Sequence, residues 1–161
     1  MYEHYYEIGN GFRIGNPKGY IVNDTQKAIL LEFCKHLTPE EMELFRITST
    51  TRPKYVHGFH ASGHAIDTAC DTLHLMIKLY DGMIAAKWPG GIAVASFGLA
   101  LHVHCDDRHN VRQKNGKLYP AYYFVEQLVG PESVIYPSKQ SDPALYQKYY
   151  MQIRKFYGAK P

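Results

Sequence analysis

Residues 62–71 bring an imidazole and a carboxylate close together among small side chains, which is a pattern suited to metal binding. His64 and Asp71 are the candidate ligands in this stretch. They lie an odd number of positions apart, so a continuous strand would turn them to opposite faces. The sequence therefore predicts a bend between them, which the neighbouring Gly63 and the small residues of the stretch make accessible.

Residues 102–106 form a second segment with metal-binding chemistry. In a strand, alternate side chains share one face, so His102, His104 and Asp106 would point to the same side. Cys105 would point to the other side, into the core, where a thiol behaves as a small apolar group. The same reasoning applies to Cys70, which lies beside Asp71 in the first segment.

Imidazole nitrogen and carboxylate oxygen are common zinc ligands, and three of them with a fourth position left to water make a catalytic zinc site. We therefore predict that His64, Asp71 and His104 bind Zn²⁺. Asp67 is an alternative carboxylate ligand if the chain follows a different path. An alternative ligand set consists of imidazoles alone: His57, His60 and His64.

The bulk composition is that of one globular domain covering residues 1–161, with 45% hydrophobic and 20% charged residues. A net charge of +3 without a basic cluster gives no reason to expect a nucleic-acid partner. Three cysteines are too few for a disulfide framework. The polar, aromatic N-terminus does not resemble a signal peptide, and the longest apolar stretch is too short to span a membrane. We expect synthesis in the cytoplasm and no membrane insertion; composition does not predict the oligomeric state.

Local patterns predict an α+β fold in which helices flank a small, mainly antiparallel sheet. Residues 1–22 are rich in glycine between aromatics and are interpreted as an irregular arm. Capping residues and apolar spacing predict four helices, and two segments favour strands. The predicted helices begin near Asn23, Thr38, Asp71 and Asp142, the last ending near residue 157, with a fifth short helix over 122–129; the strands cover 46–52 and 92–106.

Three ordered motifs resemble those of the zinc D-alanyl-D-alanine carboxypeptidases and related peptidoglycan endopeptidases. The first family motif runs Ser-x-His-x-x-Gly-x-Ala-x-Asp, and Asp67 stands where it has glycine. The second is His-x-His, which in the branch often encoded by bacteriophages continues as Val-His-x-Asp-x-Arg. A third, upstream, is Thr-Ser-x-x-Arg. The matched positions, within residues 46–108, are Ser62, His64, Ala69 and Asp71; His102, Val103, His104, Asp106 and Arg108; and Thr48, Ser49 and Arg52.

The resemblance implies the fold shared by these enzymes, lysostaphin-type peptidases and hedgehog domains (the LAS-type fold). It implies zinc held by His64, Asp71 and His104, with His102 near the reacting centre and Arg52 stabilising a substrate carboxylate or an oxyanion. Leu101 occupies the place where several branches keep an acidic base, so the base stays unassigned. Strand alternation leaves Asp106 as either the base or the residue that orients a ligand imidazole. The alternative is that Asp106 only caps a turn or pairs with Arg108.

The function expected from this resemblance is zinc-dependent hydrolysis of peptide bonds in peptidoglycan stem peptides or crosslinks, of carboxypeptidase or endolysin type. Such a protein would be phage-encoded and act at the cell wall or in a virion. The missing acid at Leu101 motivates an alternative, a non-catalytic metal-binding structural or virion component with the same fold. A metal hydrolase with an unrelated substrate is a third reading.

Overall fold

The computed structural model describes residues 1–52 and 58–160. Within them the chain forms one sheet of eight strands and four α-helices. The strands are β1 (Tyr5–Gly9), β2 (Phe12–Gly15), β3 (Phe45–Ser49), β4 (Ala65–Cys70), β5 (Gly91–Ala95), β6 (Val103–Asp106), β7 (Tyr122–Gly130) and β8 (Ser133–Ile135). The helices are α1 (Asp24–Phe33), α2 (Pro39–Met42), α3 (Leu73–Ala85) and α4 (Pro143–Phe156).

The strands lie in the order β1-β2-β3-β4-β6-β5-β7-β8 across the sheet. Neighbouring strands are antiparallel except in the pairs β2–β3 and β5–β7, which are parallel. The predicted α+β class and mainly antiparallel sheet are therefore confirmed. The sheet is larger than expected because the N-terminal residues and residues 122–135 add strands to it.

The predicted irregular arm instead contributes the β1–β2 hairpin. Its turn uses positive φ angles at Gly9, Asn10 and Gly11, which glycine and asparagine adopt most readily. Ile8 and Ile14 are buried in the core, so the hairpin is anchored by apolar packing. The glycines that indicated irregular structure therefore serve one tight turn.

The starts of α1, α2 and α4 were predictable from capping, whereas Thr72 before α3 makes no side-chain capping bond. Asn23 and Thr38 each accept a hydrogen bond from the backbone three residues later, and Gln26 and Glu41 bond back to complete a capping box. Asp142 caps α4 in front of a proline in its first turn. No helix in the described part of the chain is both long enough and apolar enough to cross a membrane.

The predicted helix over residues 122–129 is wrong, because these residues form β7. The segment begins Tyr-Tyr-Phe-Val, and aromatic and β-branched residues suit a strand at least as well as a helix. β7 pairs in parallel with β5 over five residues, Gly91 to Ala95. The partner strand decided the conformation, and it lies about thirty residues away in the sequence.

One face of the sheet packs against helices and forms the apolar core, while the opposite face is called here the open face. Cys70 and Cys105 are buried in the core cluster, which confirms the predicted inward orientation of both thiols. The core-facing residues of the central strands are Ile66, Thr68, Ile92, Val94, Val103 and Val125. The candidates Asp67, His102, His104 and Asp106 lie on the open face.

Candidate metal centre

Three rows of residues cross the open face of the four central strands. The first row contains Ala65, Asp106, Gly91 and Tyr122. The second contains Asp67, His104, Ala93 and Phe124. The third contains His102, Ala95 and Glu126. β5 contributes the smallest side chain to every row, so it forms the floor of a trough between β6 and β7.

This trough opens into a cleft of about 690 Å³, the size of a small-molecule or peptide-binding site. The lining includes Asp67, His102, His104, Phe124 and Glu126 from the strands. The segment before β4 supplies Arg52, Phe59 and His60 along one side. Basic, acidic and aromatic groups thus meet at one place on the sheet.

On the β4 and β6 side of the cleft, three side chains form a cluster: His60, Asp67 and His104. His60 Nε2 lies 3.0 Å and His104 Nδ1 lies 2.9 Å from Asp67 Oδ1, and the two nitrogens are 3.2 Å apart. Asp67 and His104 are directly opposite each other on β4 and β6, and His60 comes from the turn before β4. These three atoms could hold a metal ion.

The outward-facing nitrogen of each imidazole has an acceptor as its partner. His60 Nδ1 donates to the Thr50 carbonyl over 2.8 Å, and His104 Nε2 donates to Asp106 Oδ2 over 2.9 Å. With a metal bound, these partners would keep the remaining proton of each ring on its outer nitrogen. The nitrogens that face Asp67 are then the ones available to bind a cation, and ligand imidazoles in metal sites are usually held in this way.

The donor set and its spacing fit a small divalent cation. Bonds of about 2.0–2.1 Å at a tetrahedral angle put two donors about 3.3 Å apart, close to the separations of 2.9–3.2 Å in this cluster. Two imidazoles and one carboxylate are used by both zinc hydrolases and non-haem iron enzymes. The geometry is therefore that of a group that could hold a metal ion, and it does not name the metal.

Asp106 is held entirely inside the protein and is saturated with hydrogen bonds. Its Oδ1 accepts from the backbone of Gly91 and from Arg108, and its Oδ2 accepts from Arg108 and His104. The Arg108 guanidinium lies over three aromatic rings, at 4.6–5.8 Å from their centroids: Phe59, Tyr122 and Phe124. The alternative pair with Arg108 is therefore present. Of the two roles predicted for Asp106 at the metal site, its contact with His104 supports that of orienting the imidazole.

The cluster concentrates negative charge around His104. Burial lowers the pKa of His104, but hydrogen bonds with Asp106 and Asp67 outweigh it and raise the pKa to about 10 in the metal-free protein. Burial favours a high pKa for the carboxyl groups of Asp67 and Asp106. Hydrogen bonds from His104 and His60 nevertheless hold the pKa of Asp67 well below its usual range. Hydrogen bonds from Arg108 and His104 likewise hold the pKa of Asp106 well below its usual range. A positive charge is therefore stabilised here, carried by a proton or by a metal.

Gly91 must lack a side chain for this arrangement to form. A Cβ at Gly91 would lie 2.4 Å from Asp106 Oδ2 and 2.5 Å from Arg108 Nε. We expect Gly91→Ala to lower the free energy of unfolding by about 1–3 kcal/mol, as overpacking of a buried site does, measured by urea denaturation. Gly130→Ala is the matched control, because its nearest neighbour would be 3.6 Å away. Equal denaturation midpoints for the two variants would contradict the close packing of Gly91 against Asp106 and Arg108.

The structure brings His104 into the cluster but not the other two predicted ligands. His64 Nδ1 pairs with Asp107 Oδ1 at 2.5 Å instead. The Asp71 side chain is 89% exposed beyond the end of β4, where it pairs with Arg46. His60 and Asp67 take their places, and Asp67 was the alternative carboxylate of the sequence analysis. Of the alternative set of three imidazoles, only His60 lies in the cluster. His64 pairs with Asp107, and His57 lies outside the described residues.

The predicted catalytic residues all lie near the cluster. Arg52 Nη2 donates to Asp67 Oδ2 over 2.7 Å, which fixes the carboxylate oxygen that does not face the imidazoles. His102 lines the cleft with its Nε2 3.3 Å from Glu126 Oε2. Burial lowers the pKa of His102, but the hydrogen bond to Glu126 and the charges of Glu126 and Asp67 together outweigh it. The pKa of His102 is therefore raised.

The signal that could have identified His60 and Asp67 is a shift of the first motif by four residues. In that register four positions of the motif match: His60, Gly63, Ala65 and Asp67. The motif's glycine is then present as Gly63, and its serine is replaced by Gly58. Gly63 has φ +76° and would place a Cβ 2.7 Å from Asn23 Nδ2, so its position requires glycine. The motif's glycine therefore has a structural reason only in the shifted register.

Comparison of the chain with protein-family models, with curated proteins and with solved structures finds no match.

Proposed function

We propose that this protein is a zinc-dependent peptidase of the LAS type, which hydrolyses peptide bonds in peptidoglycan stem peptides or crosslinks. The observation that carries the proposal is the convergence of His60 Nε2, Asp67 Oδ1 and His104 Nδ1 on one point of a cleft. The resemblance to phage-encoded peptidoglycan peptidases supports the substrate class. In the shifted register its motifs supply these three residues, and they also supply Arg52 and Asp106.

Zinc bound by these residues would lower the pKa of a water molecule and polarise the carbonyl of the scissile bond. Asp106 and Thr50 keep the two imidazoles oriented toward the metal position through their outer nitrogens. Arg52 holds Asp67 and adds a positive charge beside the cleft, where it would stabilise the oxyanion or a carboxylate of the substrate. The protein thus supplies orientation and charge at the reacting carbonyl.

The shape and walls of the cleft suit a peptide of a cell-wall polymer. The wall from β7 contains the partly exposed Tyr122 and the buried Phe124, and Tyr136 beside them is 55% exposed. Exposed aromatic rings provide flat apolar contact with sugars and aliphatic side chains while costing little conformational entropy. Together with Arg52 at the opposite side, they would hold an anionic glycopeptide across the cluster.

The proposed activity is tested by incubating the zinc-loaded protein with purified peptidoglycan and measuring newly released amines. We expect release by the wild type and a decrease of about 10²–10³-fold in Arg52→Ala, the usual effect of losing an oxyanion-stabilising donor. Arg46→Ala is the matched control because Arg46 pairs with Asp71 outside the cleft.

A zinc-loaded wild type that releases no more amine than His60→Ala would refute the peptidase proposal. It would favour the alternative of a non-catalytic metal-binding structural or virion component. Iron in place of zinc in the purified protein would instead point to the oxygen chemistry that the same donor set supports.

A further inference from the structure

The third row of the open face places a carboxylate and an imidazole next to the metal cluster. Glu126 on β7 pairs with Ala95 on β5, and the Ala95 amide bonds to the His102 carbonyl on the other side. Because Ala95 has only a methyl group, Glu126 and His102 meet above it, with Oε2 3.3 Å from Nε2. His102 Nδ1 is held by the Ala100 carbonyl at 2.6 Å. The imidazole is thereby fixed at both ends.

This pair lies one row from the ligands. Same-face neighbours along a strand are two residues, or about 6.6–6.8 Å, apart, so the third row runs directly beside the row of Asp67 and His104. Both pairs line the same cleft. The Glu126 side chain is 17% exposed, which leaves it accessible to a ligand in the cleft while restricting its motion.

The other carboxylates at the site are already engaged. Asp67 is a candidate ligand, and Asp106 is fully buried with both oxygens occupied by Arg108, His104 and Gly91. Leu101 occupies the place where several branches of the similar family keep an acid, and it has no titratable group. Of the carboxylates on described residues that line the cleft, Glu126 is therefore the one not committed to the metal cluster.

We infer that Glu126, positioned by His102, is the general base and acid of this site, supplied by a different strand from the one that carries the third ligand. The inference rests on the proposed hydrolase function. Glu126 takes one proton from the attacking water as the new C–O bond forms at the carbonyl carbon. It returns that proton to the amide nitrogen as the C–N bond breaks, so that one water is consumed and an acid and an amine are released.

Glu126→Gln tests this assignment, because the amide keeps the size and a hydrogen bond to His102 but does not accept the proton. We expect one metal per chain and unchanged sedimentation with insoluble peptidoglycan, while amine release falls by about 10²–10⁴-fold. Glu126→Asp retains the carboxylate and is expected to retain part of the activity. Glu132→Gln, at the exposed turn after β7, is the matched control and is expected to behave as wild type.

A second readout does not depend on turnover. With Co²⁺ in place of zinc, the visible spectrum changes with pH when water near the metal ionises. We expect Glu126→Gln to move the midpoint of this change by about one pH unit or more, because a charge beside the water is lost. Glu132→Gln is expected to leave the midpoint unchanged.

The two readouts separate failure of this inference from failure of the proposed function. A wild type that releases no amine refutes the peptidase, and the cobalt midpoint then still decides whether Glu126 lies against the metal's water. An unchanged midpoint in Glu126→Gln, or amine release within about threefold of an active wild type, overturns the assignment of Glu126.

Discussion

His60→Ala is expected to abolish metal binding, whereas His64→Ala, in the same loop, is expected to retain one metal per chain. His60 Nε2 is one of three donors within 3.2 Å of each other, while His64 Nδ1 is bonded to Asp107. Loss of a residue that only orients a metal ligand weakens metal binding about 10–100-fold. Loss of a ligand itself is therefore expected to weaken metal binding more than about 100-fold. Elemental analysis by mass spectrometry after dialysis measures the bound metal.

The two substitutions are closely matched, because each removes one partly buried imidazole from the segment before or at the start of β4. Circular dichroism of both variants checks that the fold is retained. Metal retained by His60→Ala and lost by His64→Ala would restore the ligand set first predicted from the sequence. Metal retained by both variants would refute the centre described here.

Asp106→Asn is expected to lower both metal affinity and stability, although Asp106 is not a ligand. The amide cannot accept all the hydrogen bonds that the carboxylate receives from Arg108, His104 and Gly91. Weaker orientation of His104 is expected to reduce metal affinity about 10–100-fold. Leaving Arg108 buried without its anion is expected to cost about 3–5 kcal/mol of unfolding free energy.

Affinity is measured by competition with a chromogenic chelator, and stability by urea denaturation of the metal-free protein, so that the two effects are separated. Asp107→Asn is the matched control: it is the next residue in the chain, but its carboxylate pairs with His64. Equal metal affinity for the two variants would show that Asp106 does not orient His104. Equal denaturation midpoints would show that the pair with Arg108 contributes no net stability.

The second metal-binding segment was predictable from the sequence because strand alternation is a local property. His102, His104 and Asp106 share a face in any strand, and this structure places them on the open face. Capping residues likewise gave the starts of α1, α2 and α4, since a cap is a contact between residues three apart. Glu126 could not be assigned in this way, because its segment was predicted to be a helix and its partner His102 lies two strands away.

The sequence by itself determined that an imidazole and a carboxylate seven positions apart, from the segment around residues 60–71, would join His104, but this segment contains two such pairs. His60 with Asp67 and His64 with Asp71 have the same spacing. Only the tertiary structure decided between them, through the register that sets Asp67 opposite His104 and leaves Asp71 beyond the strand end. Register is fixed by burying Ile66, Thr68 and Cys70 against the helices, and this burial is a property of the whole sheet.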